Sequence, residues 1–305
     1  MSDRQQDFLQ ELNKVLKEEQ IQLQEPMSRH TTFRVGGPAD IYVLPQINQV
    51  KEVLQLCSTF DIPICIKGNG SNLLVGDKGI RGVVLELGKN AADISVAGNH
   101  ITAEAGAILG FVAKKALEQS LTGLESAAGI PGTVGGAVVM NAGAYGWEMK
   151  DSLVKVTVLT RELEVKELTS EELALSYRHS NVLDNGYVVL KAEFALTPGN
   201  QEEIQAAMED YRQRRQDKQP LNYPSAGSTF KRPEGNFAGK LIQDAGLRGF
   251  QVGGAQVSEK HCGFVVNKEN ATAADIMSLI SQVQEKVRDQ FGVILEPEVK
   301  RMGEF

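Results

Sequence analysis

The chain has 305 residues, with 32 Lys and Arg against 39 Asp and Glu, giving a net charge of −7. At 42% apolar and 23% charged it has ordinary globular usage, not the low-hydrophobicity signature of disorder. An acidic balance argues against nonspecific nucleic-acid binding, which depends on Lys and Arg neutralising phosphates, although a local basic patch can still serve one small anion. No apolar run approaches the ~18–20 residues of a membrane span, and the polar start Met-Ser-Asp-Arg-Gln-Gln-Asp lacks a signal pattern. Cys57, Cys65 and Cys262 form no C-x-x-C pair and the four histidines are scattered, so no disulfide framework, zinc knuckle or protein-ligated metal is expected. These features predict a reduced, cytoplasmic, soluble protein of two or three packed units, the length being about twice a ~150-residue domain.

Phe8, Leu9, Leu12, Val15 and Leu16 recur at helical spacing and predict a first helix. Residues 30–33 read as a short extended piece, 34–38 as a turn and 40–44 as a strand. Val50, Val53, Leu54 and Cys57 mark a second helix. Residues 62–66 are an apolar strand running into Lys67-Gly-Asn-Gly-Ser-Asn72, and 82–87 another, closing this unit near residue 95. A second unit opens near Ile101, with a helix carrying Leu109, Val112, Ala116 and Leu117. Residues 154–159 alternate as a half-buried strand does. Thr169-Ser-Glu-Glu172 is a capping-box pattern expected to open a short helix reaching Tyr177-Arg178. Residues 187–196 complete a strand run, and Pro198-Gly199 breaks the chain before a capped helix ending in Tyr211-Arg-Gln-Arg-Arg215. Further on come a short helix over 236–245 closed by Gly246, a longer one from Thr272 to Gly292, and a strand over 293–295. The class is α+β, with strands too irregularly placed for a barrel of βα units.

Gly68-Asn-Gly-Ser-Asn72 follows an apolar strand, and successive N–H groups in such a turn form an anion-binding nest. A Rossmann site needs G-x-G-x-x-G opening a helix, whereas here a strand follows; no Gly-Lys-Ser/Thr of a P-loop occurs. A tight β-turn accounts for this loop alone equally well. From Gly129 to Gly146 six glycines and small neighbours fill eighteen residues. Such a tract cannot fill a core with side chains, so backbones pack closely there or a large flat ligand with a diphosphate fills the space. Two separate Gly-rich nests suggest one long phosphate-bearing cofactor. Ser228 follows Gly227 outside any G-x-S-x-G elbow, which argues against a serine hydrolase. Arg178 at a predicted helix end and Glu298 in a strand-like Pro-Glu-Val are each more often surface groups, and spacing does not join them to Ser228. His261 and Cys262 read as a packed pair. Arg212, Arg214, Arg215 and Lys218 read as a solvated helix face or an anion clamp.

Several stretches together resemble one family, the UDP-N-acetylenolpyruvoylglucosamine reductases. They are His30-Thr-Thr-Phe33, Gly68-Asn-Gly-Ser-Asn-Leu-Leu74, Gly129-Ile-Pro-Gly132 with Gly135-Gly136, Asn141-Ala-Gly-Ala-Tyr-Gly146 and Tyr177-Arg178. Ala226-Gly-Ser-Thr-Phe-Lys-Arg-Pro233, Gly253-Gly-Ala-Gln-Val-Ser258 and Leu295-Glu-Pro-Glu-Val299 continue the match in collinear order past residue ~20. The resemblance implies an N-terminal helix and lead-in over 1–30 and a two-subdomain FAD-binding module of the vanillyl-alcohol-oxidase type over 31–198 (about 31–95 and 96–198). A C-terminal α+β substrate-binding domain over 199–305 would follow. It implies non-covalent FAD reduced by NADPH, and reduction of the enolpyruvyl ether of UDP-N-acetylglucosamine to UDP-N-acetylmuramate for peptidoglycan. It assigns Ser228 as proton donor to the α-carbon, and Arg178 with Glu298 to the substrate carboxyl. It implies FAD contacts from Gly68, Asn69, Gly70, Ser71, Asn72, Leu73, Gly129, Gly132, Thr133, Gly136, Asn141 and Gly143. Tyr145, Lys218 and Arg232 would meet the nucleotide sugar, Arg232 standing where the longer type of this family has asparagine. The chain resembles the shorter type, without an inserted tyrosine loop. A non-catalytic binder of the same fold would not need the serine, arginine and glutamate together. An oxidase with this module would carry a histidine or cysteine for covalent flavin attachment, and no histidine lies inside either Gly-rich loop, His30 and His100 being the nearest candidates.

Overall fold

A computed structural model describes residues 3–305. The chain divides into two compact units: the first takes residues up to Leu23, Ile41–Asn69 and Gly82–Gln213, and the second Gln24–Asp40, Gly70–Arg81 and Arg214–Phe305.

In the first unit the helix Asp3–Val15 buries Phe8 and Leu12 completely, and the helix Val50–Thr59 buries Val50, Val53 and Cys57 in the same core. Ile64–Lys67 pairs in parallel with Ile80–Glu86, in a four-stranded sheet completed by Pro38–Val43 and Ile21–Pro26. The larger sheet of this unit has five antiparallel strands, in the order Val165–Thr169, Leu153–Leu159, Val188–Ala195, His100–Glu104, Ile94–Ala97. Val156, Val158, Ala192 and Phe194 from this sheet share a core with Leu109, Val112 and Ala116 of the helix Leu109–Glu118 and with Val134 and Val138. The helix Gln201–Lys218 is polar nearly all round and buries only Ile204. Its start is held by Asn200, whose Oδ1 accepts from the N–H groups of Glu202 (2.9 Å) and Glu203 (3.2 Å).

The second unit is built on the amphipathic helix Ala273–Phe291, whose Ile276, Leu279, Ile280, Val283 and Val287 pack on a three-stranded sheet of Gln251–Val252, Ala255–Val257 and Val265–Asn267. A capping box opens that helix: Thr272 Oγ1 accepts from Asp275 N–H at 3.0 Å, and the Asp275 carboxylate accepts from Thr272 N–H at 3.0 Å. Gly292, at φ +67, ends it in the left-handed cap that favours glycine. Leu73–Val75 pairs in parallel with Lys300–Met302.

Four expectations differ from the structure. Residues 30–33 form a turn, not an extended piece, because Thr31 folds its hydroxyl onto Val35 O (3.0 Å) while Arg34 N–H donates to Thr31 O. The capping box at Thr169 and Glu172 is made (2.8 and 3.3 Å), yet no helix propagates from it. Ala174 turns to φ +49 and the chain doubles back, with Ser176 and His179 bridging. Arg178 therefore sits in a turn, not at a helix end. Residues 293–295 are not a strand; the C-terminal strand is Lys300–Met302. The hairpin Ile94–Ala97 with His100–Glu104 lies where only a helix was expected to open the second unit.

His261 and Cys262 are packed side chains. Burial pushes the Cys262 thiol up and holds the His261 imidazole below its ordinary value, and His261 Nδ1 accepts Gly263 N–H at 3.1 Å, a bond only the neutral ring makes. An unfolded chain binds that proton near the ordinary 6.5, the native chain only at lower pH. Urea titrations from pH 7 downward should therefore show stability falling as pH drops past about 6.5 and levelling below the depressed value. His261→Gln should flatten that part of the profile.

Candidate active site

The two Gly-rich stretches meet within the first unit. A Cβ on Gly68 would lie 2.0 Å from Thr133 Oγ1, and Asn69 Nδ2 donates to Pro131 O at 2.6 Å. Only a residue without a side chain fits against the Thr133 side chain at this distance. Gly132 O accepts Leu109 N–H at 3.0 Å, and a Cβ on Gly135 would sit 3.0 Å from the Ala105 methyl, so half of the second tract is packing. Gly129 and Gly136 are exposed.

Where the stretches meet, the buried hydroxyl of Thr133 has no hydrogen-bond partner among the described residues, and the same holds for Ser126 Oγ in the turn Ser126–Gly129. Thr133 stands at the N-cap of the short helix Val134–Val139, yet its side chain makes no cap bond. Buried polar groups are nearly always paired, so the Thr133 hydroxyl left over beside a side-chain-free cradle fits a polar ligand such as a dinucleotide. FAD fits this part of the chain.

A second cluster follows in the same unit. Asn141 is fully buried and spends its amide on protein. Nδ2 donates to Glu148 Oε2 (3.2 Å) and to Ser176 O (3.0 Å), and Oδ1 accepts Lys150 N–H (3.1 Å). It thereby ties the 143–148 hairpin to the turn that carries Arg178. The Arg178 guanidinium donates to Gly143 O at 3.2 Å and lies 5.1 Å from the Tyr177 ring centroid. Glu148 is held below the usual carboxylate range, first by its hydrogen bond from Lys150 (2.8 Å) and, further down, by the charge of Arg178. Tyr145 is at the hairpin tip and stacks on Tyr211, centroids 4.9 Å apart.

In the second unit the backbone brings Ser228 and Glu298 onto neighbouring segments. Glu298 N–H donates to Thr229 O (2.8 Å), Lys231 N–H to Glu296 O (2.8 Å), and Phe230 bridges Pro297. Ser228 is exposed and Glu298 half-buried. The far end of the first Gly-rich loop joins them, since Asn72 Nδ2 donates to Glu298 O (3.2 Å) and Asn72 O accepts Lys300 N–H (2.9 Å). Gly70, at φ +65, lies under His30, where a Cβ would come within 2.2 Å of the His30 carbonyl oxygen. Ser71 and Leu73 are half-buried; Leu73 starts the strand that pairs with Lys300–Met302. Lys218 is exposed at the end of its helix, and Arg232 is exposed with its guanidinium 4.0 Å from the Phe237 ring centroid.

Sequence reasoning missed two features. The Lys67 ammonium is wholly buried directly before Gly68, bonded to Glu86 and, at 3.1 Å, to Tyr42 OH; burial holds it below its ordinary value against the pull of Glu86. A lysine closing an apolar strand opposite a glutamate was the available signal. The Tyr145–Tyr211 stack joins residues far apart in sequence and left no signal.

Residues 38–169 match the FAD binding domain family, and 219–302 match the UDP-N-acetylenolpyruvoylglucosamine reductase C-terminal domain. The chain is thus an FAD-binding oxidoreductase of α+β fold. It is 57% identical to the UDP-N-acetylenolpyruvoylglucosamine reductase of Agathobacter rectalis, covering 98% of this chain and 99% of the relative. It is 51% identical to that of Caldanaerobacter subterraneus subsp. tengcongensis, covering 97% and 98%. The solved UDP-N-acetylenolpyruvylglucosamine reductase from Thermus caldophilus superposes with a TM-score of 0.79 at 33% identity, over 92% of this chain and 98% of that one. The chain belongs to the UDP-N-acetylenolpyruvoylglucosamine reductase family.

Two substitutions separate cradle from strut. Thr133→Val removes a hydroxyl with no protein partner, so the thermal stability of FAD-free protein should not fall, while FAD affinity measured by flavin fluorescence should weaken by up to about tenfold. Asn141→Ala leaves buried groups unpaired and should cost about 1–3 kcal/mol in urea unfolding whether or not FAD is bound.

Proposed function

We propose that this chain reduces the enolpyruvyl ether of UDP-N-acetylglucosamine to UDP-N-acetylmuramate in peptidoglycan precursor synthesis, in the cytoplasm, with NADPH as reductant. The observation that carries the reading is the pairing that sets Ser228 beside Glu298, in a chain of this family that also anchors Arg178 by a backbone carbonyl. The FAD-binding module is residues 31–198, preceded by the lead-in 1–30, and the substrate domain is 199–305. FAD, when bound, supplies the two-electron transfer that links NADPH to the enolpyruvyl double bond. Gly68, Asn69, Gly70, Ser71, Asn72, Leu73, Gly129, Gly132, Thr133, Gly136 and Gly143 hold it without a covalent bond, and Asn141 supports that loop.

The chain's own residues carry the proton and the charge. The Ser228 hydroxyl donates a proton to the substrate α-carbon. A serine is a weak acid, but an enolate carbon is a strong base, so the transfer needs only a near hydroxyl whose alkoxide finds a donor. Arg178 binds the substrate carboxyl and stabilises negative charge where it develops, an effect of about 3–4 kcal/mol per donor in such sites. Glu298 acts with it on the same carboxyl group. Tyr145, Lys218 and Arg232 contact the nucleotide sugar.

An anaerobic visible spectrum tests the reading. Purified protein should show a two-band flavin spectrum that NADPH bleaches and the enolpyruvyl nucleotide sugar restores. Ser228→Ala should slow the restoring step by about a hundredfold or more and leave bleaching near the wild-type rate. Equal loss in both steps would remove Ser228 from its role. A colourless protein that FAD does not reconstitute would overturn the function, and recovery in air alone would make it an oxidase.

A further inference from the structure

Tyr145 and Gly146 are the two central residues of a hairpin turn between Gly143–Ala144 and Trp147–Glu148, at φ +55 and +89. A turn with both central residues at positive φ is the natural place for Asn-Gly. An aromatic residue at its first position is a conformational outlier of the sort that gathers at functional sites. The turn projects away from packing, since a Cβ on Gly146 would meet nothing within 4 Å. Tyr145 is 39% exposed, yet its ring lies 4.9 Å from that of Tyr211, nearly parallel at 22°. Tyr211 comes from the helix Gln201–Lys218, whose one buried residue is Ile204. At the base of the same hairpin the Arg178 guanidinium holds the Gly143 carbonyl.

We propose that Tyr211 is a positioning residue: its ring holds Tyr145 in the disfavoured turn, so that Tyr145 presents an aromatic wall beside Arg178 to the sugar ring of the nucleotide-sugar substrate. The inference rests on the proposed function. A pyranose offers an apolar face of C–H groups, and a fixed aromatic ring binds it with little entropy left to lose. Asparagine at position 145 would suit the turn and abolish the wall, and Tyr211 explains how tyrosine is kept there.

The test compares holoenzyme variants Tyr211→Leu, Tyr211→Phe and Tyr145→Asn by steady-state kinetics, anaerobic flavin reduction and amide hydrogen exchange over residues 143–148. Tyr211→Leu should raise KM for the enolpyruvyl nucleotide sugar about two- to tenfold, the range an aromatic pair converts to. It should keep kcat and the rate of flavin reduction by NADPH, and should speed exchange in the hairpin. Tyr211→Phe should behave as wild type in every readout. Tyr145→Asn should raise the melting temperature while also raising KM, a combination that a merely structural stack would not produce. Wild-type turnover with an unchanged KM in Tyr211→Leu would overturn the inference, as would a loss of kcat and flavin reduction together. Absence of turnover in the wild type would instead overturn the proposed function and the substrate role with it. Hydrogen exchange would still decide whether Tyr211 fixes the hairpin.

Discussion

The site depends on one steric fact, that no side chain stands at Gly68. A methyl group there would overlap the Thr133 hydroxyl at 2.0 Å. Without it, the end of an apolar strand and the entrance of a Gly/Ala helix come close enough for Asn69 to bond Pro131 across the gap. The contact leaves Thr133 buried with its hydroxyl unspent. A buried hydroxyl without a partner costs about 1–3 kcal/mol. A bound ligand that accepts or donates there recovers this cost, so such a cradle converts a folding penalty into affinity.

Downstream the same tract changes its role from cradle to scaffold. Asn141 at φ +38, Tyr145 at φ +55 and Arg178 at φ +55 are all non-glycine residues in the left-handed region. Each such residue costs about 1–2 kcal/mol. Three within one hydrogen-bonded cluster persist because Asn141 is wholly buried and its amide joins Glu148, Lys150 and the Ser176 carbonyl. Asn141 carries part of the strain itself, and its three hydrogen bonds supply the compensation.

Sequence reasoning reached the local signals and missed the long-range ones. Thr272 with Asp275, Asn200 ahead of Glu202, and Gly292 all carried their element boundaries, because caps are settled within four residues. Thr169 and Glu172 made the same local bonds and still gave a turn, because the chain after them pairs Ser176 with His179 instead of winding on. The Gly-rich stretches were legible as nests; that they touch was not, since Gly68 and Thr133 are separated by the whole hairpin Ile94–Ala97 with His100–Glu104 and a helix. Ser228 and Glu298 could not be joined by spacing either. Their adjacency comes from the backbone bonds of residues 229–231 with 296–298, which no periodicity announces.

An acidic chain that handles anionic substrates must place its positive charge sparingly. Arg178 illustrates the device. It donates to the neutral Gly143 carbonyl, which orients the guanidinium. The nearby carboxylate, Glu148, is drawn first to Lys150 and then to Asn141. The lysine at 2.8 Å lowers Glu148 more than Arg178 does, so Glu148 is satisfied elsewhere. The turn thus carries a guanidinium oriented by a backbone carbonyl next to a carboxylate whose main cation is a lysine. In a chain of net charge −7, single oriented cations act at short range and with specificity, where a broad basic field would also attract unrelated polyanions.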